Sequence, residues 1–147
     1  MKYTTVLLFL FSIVSAQTKK VDFFGTEFHV NNACEVKESS IKYGKNAMMW
    51  TDAPPALMRG IMLSTIKNKL KGKQVKELKT EPLKVTILKK SWEGKITQYK
   101  QEGKDSITNF VHLYGNYKDE DRLLIMIYKT PTPQVFRIPA YFDFLVK

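Results

Sequence analysis

The feature that most constrains this chain is the run 122–129, Arg-Leu-Leu-Ile-Met-Ile-Tyr-Lys. Successive side chains of a strand point to opposite faces, so Leu123, Ile125 and Ile127 share one face and Leu124, Met126 and Tyr128 the other. Both faces are apolar. A strand of this kind needs cover on both sides, which places it at the centre of a layered domain.

The preceding segments extend it into an antiparallel meander over 83–129. In 83–92, Leu83, Val85 and Ile87 alternate with Lys84, Thr86 and Leu88. Glu93-Gly94 reads as a tight turn, since glycine accepts positive φ without a steric penalty. The returning strand, 95–101, is polar and Lys-rich, which suits a sheet edge that must resist pairing with other chains. Glu102-Gly103-Lys104-Asp105 is the next turn. In 106–116, Ile107, Val111 and Leu113 share one face and Phe110, His112 and Tyr114 the other. A charged turn at 117–121 leads into the central strand.

Upstream, 21–30 reads as one strand, with Phe24, Phe28 and Val30 on a common face. A turn at Asn31-Asn32 follows, then a weaker strand over 34–43 with an irregularity at Ser39-Ser40, and a short apolar piece at 47–50. A helix is predicted over 53–71. Thr51 or Asp52 supplies its cap, Pro54 and Pro55 suit its first turn, and Gly72 closes it. Met58, Ile61, Met62, Thr65, Ile66 and Leu70 recur at spacings of three and four. Gly60 lies inside the helix and invites a close approach to the sheet. The Met58/Met62 pair reads as core filling, with a ligand-binding patch as the other reading. After Thr130-Pro131-Thr132-Pro133, Pro139 opens a short C-terminal helix over 140–147 with Phe142, Leu145 and Val146 inward and Phe144 awkwardly placed. The other reading of that segment is an edge strand over 135–146. The fold class is therefore α+β: an antiparallel sheet packed by helix 53–71 and a short C-terminal helix.

Residues 1–16 have the pattern of a secretory signal peptide, which makes 17–147 a single domain. Lys2 gives a positive start, 6–14 is apolar, and small residues precede Gln17. The apolar run is nine residues long, whereas spanning a bilayer takes roughly 20, so no transmembrane span is expected after cleavage. The start also resembles that of exported proteins of Gram-negative bacteria, with a periplasmic or extracellular destination. The lone cysteine, Cys34, can form no internal disulfide, and it lies too far past Ala16 to be a lipid-anchor residue. A buried, unreactive thiol is expected.

Catalytic signals are thin. His29 and His112 have no partner at a spacing that points to a site. His29 and Cys34 flank the Asn31-Asn32 turn, which makes a cysteine–histidine pair conceivable there. Asp119-Glu120-Asp121 lacks the spacing of a calcium loop and reads as a solvated hairpin tip. No nucleophile elbow, phosphate loop or zinc spacing is present, and no cofactor is expected.

Charge says more. Twelve lysines but only four glutamates lie between Lys67 and Lys104, a surplus of eight in a chain of net charge +10. Such asymmetry points to an anionic partner or surface; its other reading is a soluble, edge-protecting surface. The expected patch comprises Lys67, Lys69, Lys71 and Lys73 at the helix end and Lys89, Lys90, Lys95 and Lys100 in the hairpin. Outside the cytoplasm the partner is an anionic lipid, an anionic glycan or an acidic protein. Nucleic acid is disfavoured, because the surplus is all lysine and arginine is the commoner reader of bases.

The order of elements, with Asp119-Glu120-Asp121-Arg122 leading into LLIMIY and the closing PAYFDFLVK, resembles the PsbP-like domain. That resemblance implies an α-β-α sandwich and a non-enzymatic accessory or binding role. An NTF2-like cone and an open lipocalin-like sheet are the other architectures. The function expected is an exported, non-catalytic binding or accessory protein. The alternatives are a small secreted hydrolase or transferase with a site assembled from distant residues, and an immunity-type inhibitor of a partner protein.

Overall fold

Glu120–Thr130, the last strand, is the fourth of seven in an antiparallel sheet, and the rest of the molecule is layered on its two faces. A computed structural model describes residues 17–147; the expected signal peptide lies outside the described residues. In chain order the elements are β1 (Thr18–Phe23), β2 (Thr26–Asn31), β3 (Glu35–Lys37), β4 (Ser40–Tyr43), β5 (Asn46–Asp52), α1 (Pro55–Leu70), β6 (Val75–Ile87), β7 (Lys90–Gln101), β8 (Ile107–Tyr117), β9 (Glu120–Thr130) and a 3-10 helix, Ala140–Val146. The large sheet runs β3-β4-β5-β9-β8-β7-β6, and β1-β2 forms a separate hairpin. The class is α+β, as the sequence predicts.

The two faces of β9 separate as the alternation requires. Leu123, Ile125 and Ile127 pack with Phe110, Ala53 and Met58 under α1. Leu124, Met126 and Tyr128 face Val111, Leu113, Trp92, Met48 and Trp50 in the larger core. That larger core is closed by the β1-β2 hairpin, through Val21, Phe23 and Val30, and by the C-terminal 3-10 helix, through Phe142, Phe144 and Leu145. Where the family resemblance implied a second helical layer, the cover is thus a hairpin and a single 3-10 segment.

Several boundaries differ from the sequence reading. Residues 21–30 are two strands, reversed at Phe24-Gly25 with positive φ at both positions (51° and 76°). The 34–43 segment is likewise two short strands, β3 and β4. Neither Thr51 nor Asp52 caps α1. Both belong to β5, and the Asp52 carboxylate accepts from the Arg122 guanidinium instead. The cap position is Pro54, without a side-chain hydrogen bond. Gly60 faces open space and serves no close approach.

The first hairpin of the meander turns at Leu88-Lys89, not at Glu93-Gly94. Both turn residues have positive φ (48° and 62°), the geometry of a two-residue turn whose twist matches the strands. The Leu88 N–H donates to the Leu145 carbonyl at 2.9 Å, which anchors this strained turn to the C-terminal segment. The edge strand is therefore β6, not 95–101, and β7 is internal, with Ile96, Thr97 and Gln98 buried. β6 also reaches back to Val75, through a bulge between Glu77 and Lys79 and past Pro82. An edge strand tolerates proline, since the missing N–H needs no partner. At the C-terminus the 3-10 helix kinks at Phe142, and this buries Phe144 and leaves Val146 exposed. No strand forms over 135–146.

Candidate functional site

One end of the large sheet is defined by Asn46, Gln101, Ile107 and Thr130. The C-terminal end of α1 comes up to it. The Lys73 N–H donates to the Leu70 carbonyl at 3.0 Å, and the Glu102 N–H donates to the Gln74 carbonyl at 3.0 Å, so the helix exit and the β7–β8 turn are tied together. Lys129 lies here on β9. Partial burial, then the charges of Lys45, Lys73, Lys104 and Lys69, hold its ammonium below the ordinary lysine value. Five lysines from separate segments therefore share one end of the molecule. Among the described residues none of the five is in an ion pair.

The expected patch divides between three places. Lys69 and Lys73 are in this cluster, and Lys67 and Lys71 are exposed on the same stretch around the helix end. Lys100 is at the same end of β7, directly across from Lys76, a like-charge pairing that costs stability unless an anion meets it. Lys89 and Lys90 are at the opposite end of the β6-β7 hairpin, roughly 36 Å away by strand rise. Lys95 is mid-strand, on the face that α1 covers only in part. Lys45 and Lys129 escaped the sequence reading, because each is isolated in its own segment, and Lys104 entered the lysine surplus but not the expected patch. Two of them follow a turn glycine, Gly44 and Gly103, and that was the signal available.

The second feature is a cleft of about 770 Å³ between α1 and the β6–β8 part of the sheet. Its origin is geometric. Seven strands make a face roughly 29 Å wide, and a helix with its side chains is about 10–12 Å across. α1 lies over β9 and its neighbours, so the sheet beyond it is left as a floor. Met58, Met62 and Ile66 form the helical wall, and Thr97, Tyr99, His112 and Leu123 the floor. Met58 is buried in the core, as the core-filling reading expects, and both methionines border the cleft.

His112 is 3% exposed, and both ring nitrogens are buried without a hydrogen-bond partner. The ring lies beside the Lys95 backbone but makes no bond of acceptable geometry to it. Burial drives its pKa down to about 4, outweighing the adjacent backbone carbonyl and reinforced by the Lys95 charge. The ring is therefore neutral at physiological pH. Glu77, the carboxylate bordering the cleft, accepts from Thr80 at 2.7 Å. It sits two strands over and four pairs along from His112, roughly 16 Å by strand geometry, and so does not orient the ring.

The other candidates are scattered. His29 is exposed and its ring meets Thr18 at 3.3 Å and Glu27 at 3.6 Å, while Cys34 is fully buried with its thiol pKa pushed up by burial. The two do not form a pair. Glu120 lies 3.4 Å from Arg122, and among the described residues no group of three or more His, Cys, Asp or Glu side chains is placed to hold a metal ion. No described helix is long and apolar enough to cross a membrane. No protein-family model and no curated protein matches the chain.

Proposed function

We propose that this chain is an exported, non-catalytic binding protein whose lysine-rich end attaches it to an anionic lipid surface. The observation that carries the reading is the convergence of Lys45, Lys69, Lys73, Lys104 and Lys129 at one end, free of ion pairs among the described residues. Lysine is a hydrated point charge that selects poorly between anions, whereas a site for one particular carboxylate or phosphate favours the forked geometry of arginine. Five lysines drawn from separate turns, strands and a helix end match a broad, diffuse negative surface better than a compact ligand. The N-terminal segment, with Lys2, the apolar run 6–14 and the small residues before Gln17, supports export.

The test is cosedimentation of the 17–147 chain with vesicles of mixed phosphatidylglycerol and phosphatidylcholine across ionic strength. Binding should be strong at low salt and fall steeply towards about 0.15 M, where the screening length is about 8 Å. No binding at low salt would overturn the reading. Stronger retention by an anionic polysaccharide or an acidic protein than by the vesicles would replace the lipid surface with that partner.

A further inference from the structure

The cleft beside α1 has its own lining, although its Tyr99 end reaches the strand row of Lys129 at the basic end. We propose that it binds a long-chain amphiphile with an anionic head, a fatty carboxylate by chemical class. The walls supply the apolar part: Met58, Met62 and Ile66 from the helix, Leu123 from the sheet. Leu63 and Tyr114 border the opening with about half their surface exposed, 52% and 51%, an apolar cost that a bound chain would relieve. The floor runs from the level of Tyr114 to that of Thr108, roughly 20 Å by strand rise, and the volume is within the range of ligand sites.

The two cations of the lining set the orientation. Glu77 borders the end near Tyr99, on the strand row that also holds Lys129. Arg59 and Lys95 border the other half, and neither is in an ion pair among the described residues. His112, on the floor beside Lys95, has two buried ring nitrogens lacking partners. A carboxylate placed between Lys95 and Arg59 accepts from the two cations, above the buried His112 ring.

The experiment compares palmitate, hexadecanol and hexadecyltrimethylammonium by titration calorimetry on the 17–147 chain. Palmitate should bind at least about tenfold more tightly than hexadecanol, and the cationic amphiphile more weakly than either. Arg59→Gln with Lys95→Gln should abolish palmitate's advantage and leave hexadecanol affinity nearly unchanged. Met62→Trp should obstruct the cleft and weaken both; Leu63→Glu at the rim serves if the Trp variant does not fold. Equal affinity for all three amphiphiles, or a palmitate affinity indifferent to these changes, would overturn the proposal. Extraction of phosphatidylglycerol in preference to palmitate would overturn its commitment to a free single-chain carboxylate. Lys45→Gln with Lys104→Gln should leave palmitate binding intact, so the surface reading and the cleft reading fail separately.

Discussion

His112 shows how a single side chain reports on the empty half of a sheet face. Nothing in the alternation of β8 marks it as different from Phe110 or Tyr114, which share its face. No side chain hydrogen-bonds its nitrogens, and burial, reinforced by the Lys95 charge, outweighs the backbone carbonyl beside the ring. The folded chain holds it neutral down to about pH 4, whereas the unfolded chain protonates it near pH 6.5. Between those values the unfolded state binds more protons. The contribution to stability is therefore complete above about pH 6.5 and is lost as pH falls towards 4, amounting to about 3 kcal/mol at most. His112→Leu should be at least as stable as the parent at pH 7, having removed an unpaired polar burial. Its denaturant midpoint should also drop less between pH 7 and pH 4.5. A variant with the parent's full acid sensitivity would mean that other groups set the slope.

At the scale of elements, the β6-β7 hairpin separates two registers that the sequence alone does not distinguish. Glycine is the stronger local turn signal, and so Glu93-Gly94 drew the turn in the sequence reading. The true turn uses Leu88 and Lys89, residues with no turn preference, because Leu88 packs into the larger core and its N–H is held by Leu145. Gly94 is instead in β7, where an added Cβ would overlap the carbonyl oxygen of His112. Gly94→Ala should then cost about 1–3 kcal/mol, as overpacking does. Lys89→Gly should stabilise by about 1 kcal/mol, since it relieves a left-handed lysine. Urea denaturation of the two variants decides the point; a neutral Lys89→Gly would argue against the Leu88-Lys89 turn. The rest of the meander was legible where both faces were apolar or alternation was clean, as in β8 and β9. The first half of β6 was not, because residues 76–82 are exposed at an edge and carry no periodicity to read.

For the whole molecule, the charge surplus was legible but its location was not. Sequence clustering suggested that the helix end and the hairpin lysines meet. Strand pairing sends Lys89 and Lys90 to the far end, and brings Lys45, Lys104 and Lys129 to the helix end in their place. The cleft was invisible for a related reason: it arises from the difference in width between one helix and seven strands, which no local pattern encodes. The central claim is that position, not total charge, makes the contact. It is tested by two variants of equal net charge. One carries Lys45→Gln, Lys73→Gln and Lys104→Gln at the basic end; the other carries Lys89→Gln, Lys90→Gln and Lys118→Gln at the opposite end. A lysine near an anionic membrane contributes about 1 kcal/mol, so the first variant should lose on the order of a hundredfold in affinity for phosphatidylglycerol vesicles at low salt, and the second should stay within about threefold of the parent. Equal losses in the two variants would contradict the account.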